Sequence, residues 1–489
     1  MRMRKFAGAA ACVFLFVASA WAAEFTKGPY LISVTETSAT VGWEVDKAGR
    51  VAVEYGAGGN LDKSVKAKGE GQFRKIVIGG LEPAVTYSYR VKEGEAESAV
   101  YTFRTLVSQG EFTFAVYGDT RTNPLDHEAI AKAIAGCAPL FVLHTGDLVE
   151  NGKNDSQWEP QFFGPAASLI SKVPVFTVAG NHERESENYY RYFGQASGRP
   201  WYSFDCVNAH FAMLNSCIDL APDSEQYRWL NKDLAGTDKR WRIVAFHHPL
   251  YSSSSHGGDA QLRAVLEPVF QKHNVDIVFA GHDHTYERTY PIVSAVKSVH
   301  PITYVVAGGG GAPRYEITGD FFSARYKSTL NYCIVRINGD RLDFAAYDEA
   351  KKELDAFEIA KSGEGYTGGY LARTAPVELA SVEEAVKAAL GDKTLTVGAS
   401  PREERIEYKF AAPEWGELGL SLEWRNPEKG AKMVPEKITV VIPAGETRKV
   451  EGMLKLTPGE LKTPDVIVTG KTKLGEFKVE VSPFGLKSI

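Results

Sequence analysis

Cysteine, excess basic charge and long apolar runs are all scarce in this sequence. Of its 489 residues only 5 are cysteines, and 56 lysines and arginines are outnumbered by 61 aspartates and glutamates. The net charge of −5 provides no polycationic surface, so we expect no binding to nucleic acid. Beyond the first residues no apolar run is long enough to form a transmembrane helix. The length predicts two to four domains.

The one extended apolar run lies at the N-terminus, where the basic stretch MRMRK precedes residues 6–20. That run is too short to span a bilayer comfortably, and Ala20, Trp21 and Ala22 have the small-x-small form of a signal-peptidase site. We therefore predict that residues 1–22 are a removed signal peptide and that the mature protein is secreted or periplasmic. Because Cys12 lies inside the apolar run and not at its end, we expect no lipid anchor.

Four cysteines remain in the mature chain. An oxidising compartment would allow a disulfide between Cys206 and Cys217. However, the segments YSFDC and HFAML have the pattern of two strands of a tight hairpin that turns near Asn208, and in that register the two cysteines do not face each other. This pattern favours buried free thiols.

Residues 24–106 contain only strand and turn patterns. The segments SATVGWEV and VAVEYG alternate apolar and polar residues, as half-buried strands do. Leu81, Glu82 and Pro83, followed by Tyr87, have the pattern of a tyrosine corner. The segment resembles a fibronectin type III domain over its whole length. It contains no histidine, so we do not expect it to carry the chemistry.

Residues 111–360 alternate strand-like runs with helical patterns such as HEAIAKAIAG, SEQYRWLNKDLA and AQLRAVLEPVFQKH, which predicts an α/β domain. Five of the strand-like runs end in polar residues capable of catalysis or metal binding. These residues are Asp119; Asp147; Asn181, His182 and Glu183; His247 and His248; and His282, Asp283 and His284. Ligand sites in open α/β sheets lie at the carboxyl ends of strands, so this pattern predicts one shared site.

The remaining segment, residues 370–489, contains one short helical pattern followed by short alternating strands with turn residues between them. This arrangement predicts a small β-sandwich of immunoglobulin type. It contains no cluster of metal-ligand residues. We predict a structural or docking role for it.

The residue types at the five strand ends suit a pair of metal ions. A bridging carboxylate can hold two cations a few ångströms apart, while histidine and asparagine complete each shell. Such a pair generates hydroxide at neutral pH and orients a phosphoryl group for in-line attack. The suitable residues are Asp119, Asp147, Asn181, His247, His282 and His284.

The ordered motifs GD, GD, GNHE, VxxH and GHxH resemble those of calcineurin-like metallophosphoesterases. Here they begin at Gly118, Gly146, Gly180, Val244 and Gly281. The segments TYERTYP and HHPLYSSSSHG and the fibronectin-like module narrow the resemblance to purple acid phosphatases and their bacterial relatives. The resemblance covers residues 24 to about 350. It implies a multidomain chain with an N-terminal β-sandwich, a central four-layer αββα domain and a C-terminal β-sandwich.

The resemblance also implies a role for each site residue. Asp147 bridges the two metals, His182 assists the leaving group, and His256 is placed like a substrate-contacting histidine. One metal is held by Asp119 and His284. The other is held by Asn181, His247 and His282. The ions are divalent or trivalent, with iron, zinc, manganese and magnesium as the candidates.

The chain departs from the family pattern at the first metal. Purple acid phosphatases owe their colour to a tyrosinate on ferric iron within a GDxxY motif, whereas here Glu150 stands at that tyrosine position. The DxH found in many other relatives is replaced by Asp119, Thr120 and Arg121. Glu150, His127 and water are the candidates for the missing ligand. Arg121 is either a bidentate phosphate clamp or an ordinary surface arginine.

Other interpretations of these residues remain open at this stage. Asp119 and Asp147 can serve as helix N-caps, His282 and His284 as turn residues, and His182 as a group that orients a ligand. The leading functional hypothesis is a secreted phosphatase that acts on small phosphate monoesters. A phosphodiesterase on the same metals and a non-catalytic surface or adhesive protein are the alternatives. The sequence leaves the oligomeric state open.

Overall fold

The computed structural model describes most residues from position 23 onward. The described residues are 23–67, 71–194, 198–292, 300–320, 322–362, 365–366, 375–391, 393–397, 400–413, 417–428, 431–443, 445–456, 462–472 and 475–488. The predicted signal peptide, residues 1–22, lies outside them. Within these ranges no helix combines the length and the hydropathy that a membrane crossing requires.

Eight strands build the N-terminal β-sandwich. They are β1 (Phe25–Val34), β2 (Ser38–Val45), β3 (Val51–Ala57), β4 (Lys63–Ala67), β5 (Phe73–Gly79), β6 (Thr86–Glu93), β7 (Ala96–Glu97) and β8 (Tyr101–Arg104). One sheet has the order β1-β2-β5, and the other contains β4-β3-β6 with β7 and β8 both paired to β6. The apolar positions of the alternating strands face inward around the fully buried Trp43. The backbone amide of Glu82 donates to the Tyr87 hydroxyl at 3.0 Å, as the tyrosine-corner pattern predicts.

The central domain alternates strands and helices along the chain. Its elements are β9 (Phe112–Tyr117), α1 (Pro124–Gly136), β10 (Phe141–His144), α2 (Gly164–Ile170), β11 (Val175–Thr177), α3 (Glu187–Phe193), β12 (Tyr202–Cys206), β13 (Ala209–Met213), α4 (Glu225–Gly236), β14 (Trp241–Ala245), α5 (Ala260–Lys272), β15 (Ile277–Ala280), β16 (Tyr286–Thr289), β17 (Thr303–Ala307), β18 (Ser323–Lys327), β19 (Tyr332–Asn338), β20 (Arg341–Tyr347), β21 (Glu353–Ser362) and β22 (Gly365–Tyr366). The three helices that the sequence pattern predicts here are present as α1, α4 and α5.

Two seven-stranded sheets form the middle of this domain, in the orders β11-β10-β9-β19-β20-β21-β22 and β12-β13-β14-β15-β17-β16-β18. A core rich in phenylalanine lies between them, and Phe114 and Phe141 stack with ring centroids 5.3 Å apart. Helices α1 and α2 pack against the outer face of the first sheet, and α4 and α5 against that of the second. The predicted four-layer αββα architecture, with a β-sandwich before and after it, is therefore confirmed.

Strand direction brings the predicted site residues together. In the first sheet β9, β10 and β11 are mutually parallel, and in the second β14 is parallel to β15. Parallel neighbours end at the same edge of a sheet, so within each sheet the loops after these strands lie side by side. Those loops carry the five motifs found in the sequence.

The N-terminal sandwich contacts the segment between the site loops. Its Tyr30 hydroxyl donates to the Tyr192 carbonyl at 3.1 Å, and its Tyr89 hydroxyl donates to the Ser171 carbonyl at 2.8 Å. The Lys27 ammonium pairs with Asp155 at 3.2 Å. Tyr192 lies on α3, immediately after the GNHE loop. The sandwich therefore helps to fix the position of that loop without contributing a site residue.

The C-terminal part contains one helix and nine strands among the residues the structure describes. They are α6 (Ala375–Leu390), β23 (Lys393–Val397), β24 (Arg402–Ala411), β25 (Leu418–Arg425), β26 (Lys432–Val434), β27 (Lys437–Ile442), β28 (Thr447–Leu456), β29 (Asp465–Thr472), β30 (Gly475–Val481) and β31 (Phe484–Ser488). The sheets β24-β28-β26 and β27-β25-β29-β30 enclose a separate apolar core that includes Trp424.

The cysteines are free thiols, as the hairpin pattern indicates. Strands β12 and β13 pair so that Cys206 faces Ala209, and Cys206 is buried without a sulfur partner. Cys217 and Cys333 are also free. Burial raises the pKa of the Cys206 thiol to about 12, which makes it a poor nucleophile.

Candidate active site

The two aspartates of the first motifs sit in a strained backbone conformation at the ends of β9 and β10. Asp119 has φ of +57°, Asp147 has φ of +55°, and His282 after β15 has φ of +69°. Non-glycine residues in this left-handed region are uncommon and cluster at functional sites. Both aspartates are buried, and the carboxylates of Asp147 and Asp119 contact the loops after β14 and β15, at His247 and His282 respectively.

Glycine is required at two positions where a neighbouring loop closely approaches the aspartate side chains. A Cβ on Gly180 would lie 2.2 Å from Asp147 Oδ1, and one on Gly281 would lie 2.4 Å from Asp119 Oδ2. Neither approach is compatible with a side chain at the glycine position. The glycines of GNHE and GHDH therefore let neighbouring loops touch the two carboxylates.

Glu183 ties two of the loops together. Its carboxylate accepts the backbone amides of Asp147 and Leu148 at 2.8 Å each, and that of Gly180 at 2.7 Å. Burial and then the Asp147 charge raise the pKa of Glu183 to about 8, against the lowering effect of the three amide donors. The residue therefore fixes the Asp147 loop relative to the GNHE loop.

We predict that Glu183→Ala lowers the free energy of unfolding by about 3 kcal/mol or more. Three buried amides would lose their acceptor, and each unsatisfied buried group costs about 1–3 kcal/mol. Urea denaturation of the mutant, beside the exposed control Glu187→Ala, measures the change. Equal midpoints for the two variants would show that water or a shifted loop replaces the carboxylate.

One group of candidate metal ligands surrounds the end of β14. Asn181 Oδ1 lies 3.0 Å from His247 Nε2 and 3.1 Å from His282 Nδ1. His247 Nε2 lies 3.4 Å from Asp147 Oδ1. Four potential ligand atoms from four loops thus face a common point.

A second, less closed group lies around Asp119. His284 Nε2 is 3.7 Å from Asp119 Oδ1. Within the described part of the chain, the three-residue groups whose ligand atoms lie within 4.8 Å of one another are Asp119, Asp147 and His247, and His247, His248 and His282. His284 belongs to neither group. Burial and then the Asp147 charge raise the pKa of Asp119 well above its ordinary value, against the lowering effect of Arg121.

Backbone carbonyls fix the orientation of the ligand histidines. His247 Nδ1 donates to the Thr145 carbonyl at 2.8 Å, and His284 Nδ1 donates to the Pro313 carbonyl at 2.6 Å. Burial lowers the pKa of His284 to about 4 and, with the neighbouring His247, that of His282 to about 2. The rings are therefore neutral and direct an unprotonated nitrogen into the site, as metal-binding histidines do.

His182 stands at the edge of this arrangement. Its Nδ1 donates to the Glu150 carbonyl at 2.7 Å, which leaves Nε2 facing the site 3.9 Å from Asp147 Oδ2. The backbone amide of His182 also donates to Asp147 Oδ1 at 2.9 Å. With 20% of its side chain exposed, the ring can reach a bound substrate and can exchange protons with solvent.

Arg121 lies inside the site rather than on the surface. Its guanidinium pairs with Glu150 Oε2 at 2.6 Å, and its Nε lies 3.5 Å from Asp147 Oδ2. The Glu150 carboxylate also accepts the Thr122 hydroxyl at 2.9 Å. Glu150 is one predicted candidate for the missing ligand, but in this structure its carboxylate forms an ion pair with Arg121.

His256 belongs to a chain of stacked rings. Its Nδ1 lies 3.2 Å from Asp283 Oδ1, and its ring stacks on His282 with centroids 5.1 Å apart. The other edge of His256 meets Tyr315 at 4.6 Å, and Tyr315 stacks on His284 at 4.1 Å. The chain links histidines of both ligand groups. Tyr315 follows the glycine run after β17 and carries no motif that a single sequence reveals.

His127, predicted as a candidate for the missing ligand, and the tyrosines Tyr251 and Tyr286 are directed away from the candidate ligands. Both ring nitrogens of His127 are engaged, with the Gln161 carbonyl at 2.9 Å and the Tyr117 hydroxyl at 3.3 Å. The Tyr251 hydroxyl donates to Glu267, and the Tyr286 hydroxyl donates to Asp355. His127 is therefore not directed at Asp119, and neither tyrosine faces the site.

Comparison with known proteins agrees with this geometry. Residues 112–286 match the family described as calcineurin-like phosphoesterase. The chain is 30% identical to probable purple acid phosphatase 20 of Arabidopsis thaliana over 49% of its own length and 61% of that protein. It is 31% identical to purple acid phosphatase 18 of the same plant over 54% and 66%, respectively. The aligned regions therefore span less than two thirds of these relatives.

The fold has a counterpart among solved structures. A purple acid phosphatase from yellow lupin (Lupinus luteus) seeds superimposes with a TM-score of 0.60 at 23% identity, over 68% of this chain and 74% of the lupin chain. At that identity the likeness supports the fold alone. The matched family segment runs from β9 to the start of β16 and includes all five motifs. Residues 112–286 therefore match the calcineurin-like phosphoesterase family, and the chain is similar to the purple acid phosphatases.

Proposed function

We propose that this protein is a metal-dependent phosphoric ester hydrolase that acts on small phosphate monoesters. The observation that carries the proposal is the convergence of Asp119, Asp147 and His247 within 4.8 Å, with Asn181 and His282 beside them. Buried carboxylates next to neutral imidazoles provide negative charge and free lone pairs that favour binding of a cation. The similarity to purple acid phosphatases supports the same chemistry.

The residues present offer candidate ligands for two metal ions, and Asp147 would contact both. Asn181, His247 and His282 would hold one ion, and Asp119 and His284 the other. When bound, the ions activate the attacking water and neutralise charge on the phosphoryl group. Carboxylate, amide and imidazole ligands suit iron, zinc, manganese or magnesium.

The remaining side chains have roles that follow from their positions. Arg121 presents a cation to phosphoryl oxygens, because its guanidinium faces the site from the Glu150 contact. His182 delivers a proton from Nε2 to the leaving oxygen, since its Nδ1 proton is held by the Glu150 carbonyl. His256, 46% exposed and held by Asp283, contacts the substrate from the side of His282.

A phosphodiesterase is the second candidate. A cavity of about 410 Å³ adjoins the ligand group and is lined by Asn181, Arg184, Ser216 and His248, among others. This cavity has room for the second alcohol group of a diester. A non-catalytic surface protein is disfavoured, because it would have no reason to retain the whole ligand set at strained backbone positions.

A matched pair of chromogenic substrates tests the proposal. We expect the purified protein to hydrolyse 4-nitrophenyl phosphate faster than bis(4-nitrophenyl) phosphate, to lose both activities with a chelator and to recover them when metal is restored. Faster turnover of the diester would establish the second candidate. Absence of turnover on both substrates by metal-replete protein would refute hydrolase function.

We propose further that the protein is exported and keeps the organisation predicted from sequence. The basic and apolar residues 1–22 support removal of a signal peptide, and N-terminal sequencing of exported protein should begin near residue 23. Separate apolar cores support a fibronectin type III-like domain at 24–106, a metallophosphoesterase domain at 111–360 and an immunoglobulin-like sandwich at 370–489.

We predict that the metal-replete enzyme is not purple. The position of the family's tyrosine ligand is occupied by Glu150, and Tyr251 and Tyr286 have their hydroxyls bound elsewhere. A visible spectrum of protein loaded with ferric iron should lack an intense charge-transfer band. If such a band appears, loss of the band in Tyr315→Phe would identify the stacked Tyr315 as its source and overturn this reading of the first metal.

A further inference from the structure

The guanidinium of Arg121 lies between residues that would bind the first metal. Its Nη2 is 3.5 Å from His284 Nε2 and its Nε is 3.5 Å from Asp147 Oδ2. The positively charged Arg121 guanidinium thus lies between His284 Nε2 and Asp147. The side chain of Arg121 is 11% exposed, and its buried Nε has no hydrogen-bond acceptor in the described structure.

Hydrogen bonds from Nη1 hold the Arg121 guanidinium in this position. Nη1 donates to Glu150 Oε2 at 2.6 Å and to the Thr122 hydroxyl at 3.3 Å, while Thr122 itself donates to the same carboxylate. Arg121 and Glu150 thus act as a pair, whose salt bridge lies beside the predicted ligands of the first metal.

The two ligand groups consequently differ in completeness. Asn181, His247 and His282 face a common point with Asp147 Oδ1, whereas Arg121 lies on the side of the other carboxylate oxygen, Oδ2. On the other side, Asp119 and His284 are the unshared candidate ligands among the described residues, and a metal needs donor atoms at about 2.0–2.2 Å on several sides. A fixed positive charge a few ångströms away also repels an incoming cation strongly in a partly buried site.

From this arrangement we propose that Arg121 competes with a metal ion for the first site, so the protein binds one ion tightly and the second only when the guanidinium moves. The inference rests on the proposed metal-dependent function, but it concerns metal occupancy and not turnover. With one ion bound, Arg121 supplies the second positive charge that a phosphoryl group meets. The Arg121 Nε, which has no acceptor in the described structure, then donates a hydrogen bond to a phosphoryl oxygen.

Metal titration of full-length mature protein tests the proposal directly. Metal-free protein is titrated with Mn²⁺ or Zn²⁺ by calorimetry, and ion content after desalting is measured by elemental analysis. We expect one tight equivalent and one at least about tenfold weaker in the wild type, and a gain of about tenfold or more for the weaker ion in Arg121→Gln. Glu150→Gln, which releases the guanidinium, should give an intermediate gain.

Arg90→Gln is the matched control. Arg90 also pairs with a glutamate, Glu54 at 2.7 Å, but lies in the N-terminal sandwich, so its loss should leave both affinities unchanged. Two tight equivalents of similar affinity in the wild type would overturn the proposal. So would a weak second ion that Arg121→Gln fails to strengthen, or a variant that binds less metal than the wild type. Absence of hydrolysis with the expected metal stoichiometry would instead refute the proposed function alone.

Discussion

Asp147→Asn is expected to abolish most activity and to lower the metal content of the protein. Asp147 carries a fully buried charge that faces His247 on one side and Arg121 and His182 on the other. Loss of an outer-shell partner already costs about 10- to 100-fold in metal affinity, so loss of a shared charged ligand should cost more than about a hundredfold. Elemental analysis and turnover of 4-nitrophenyl phosphate measure the two effects.

Asp283→Asn provides the comparison for this experiment. Asp283 is also fully buried and lies between two predicted ligands in sequence, but its carboxylate contacts His256 at 3.2 Å and the side chains of Ser252 and Ser254. Its variant should keep its metal while Asp147→Asn loses it. Full metal content with wild-type turnover in Asp147→Asn would mean that Asp147 is not the shared ligand, and the assignment of both sites would have to be abandoned.

The order of elements and the position of the site could be predicted because both depend on local pattern. Strand β2, Ser38–Val45, coincides with the alternating segment SATVGWEV, and Ser224 caps α4 where the helical pattern begins. Each motif residue follows its own apolar strand directly. Once an α/β domain with parallel strands is expected, the carboxyl ends of those strands must meet, and the ligands meet with them.

Other features depend on contacts between distant parts of the chain. Arg121 Nη2 approaches His284 across 163 positions of sequence, so no local pattern shows that the guanidinium lies inside the site. Tyr315 reaches His284 from a loop without regular structure. Glu183 is conspicuous within GNHE, but its role as acceptor for three amides depends on the folded loops of two strands. A single sequence identifies such residues as chemically capable and leaves their partners undetermined.

His182→Ala is expected to slow hydrolysis of esters with poor leaving groups much more than of those with good ones. The His182 Nδ1–H is committed to the Glu150 carbonyl at 2.7 Å, so Nε2 is the nitrogen that exchanges a proton with the substrate. A general acid contributes about a hundred- to ten-thousand-fold when the departing oxygen needs a proton. Phenolates with low pKa, such as 4-nitrophenolate, leave without that help. A series of aryl and alkyl phosphates should therefore give a steeper dependence of kcat on leaving-group pKa in the variant than in the wild type.

His182→Gln separates proton delivery from positioning. Its amide can donate to the Glu150 carbonyl, as the imidazole does, but it cannot carry a transferable proton. If His182 is the general acid, the glutamine variant should show the same steep leaving-group dependence as the alanine variant while retaining wild-type metal content. If His182 only orients Asp147 through its backbone and ring contacts, glutamine should restore turnover, and the loss in alanine should be uniform across leaving groups. The second outcome would assign His182 to substrate positioning. The proton donor of this site would then be His256 or solvent.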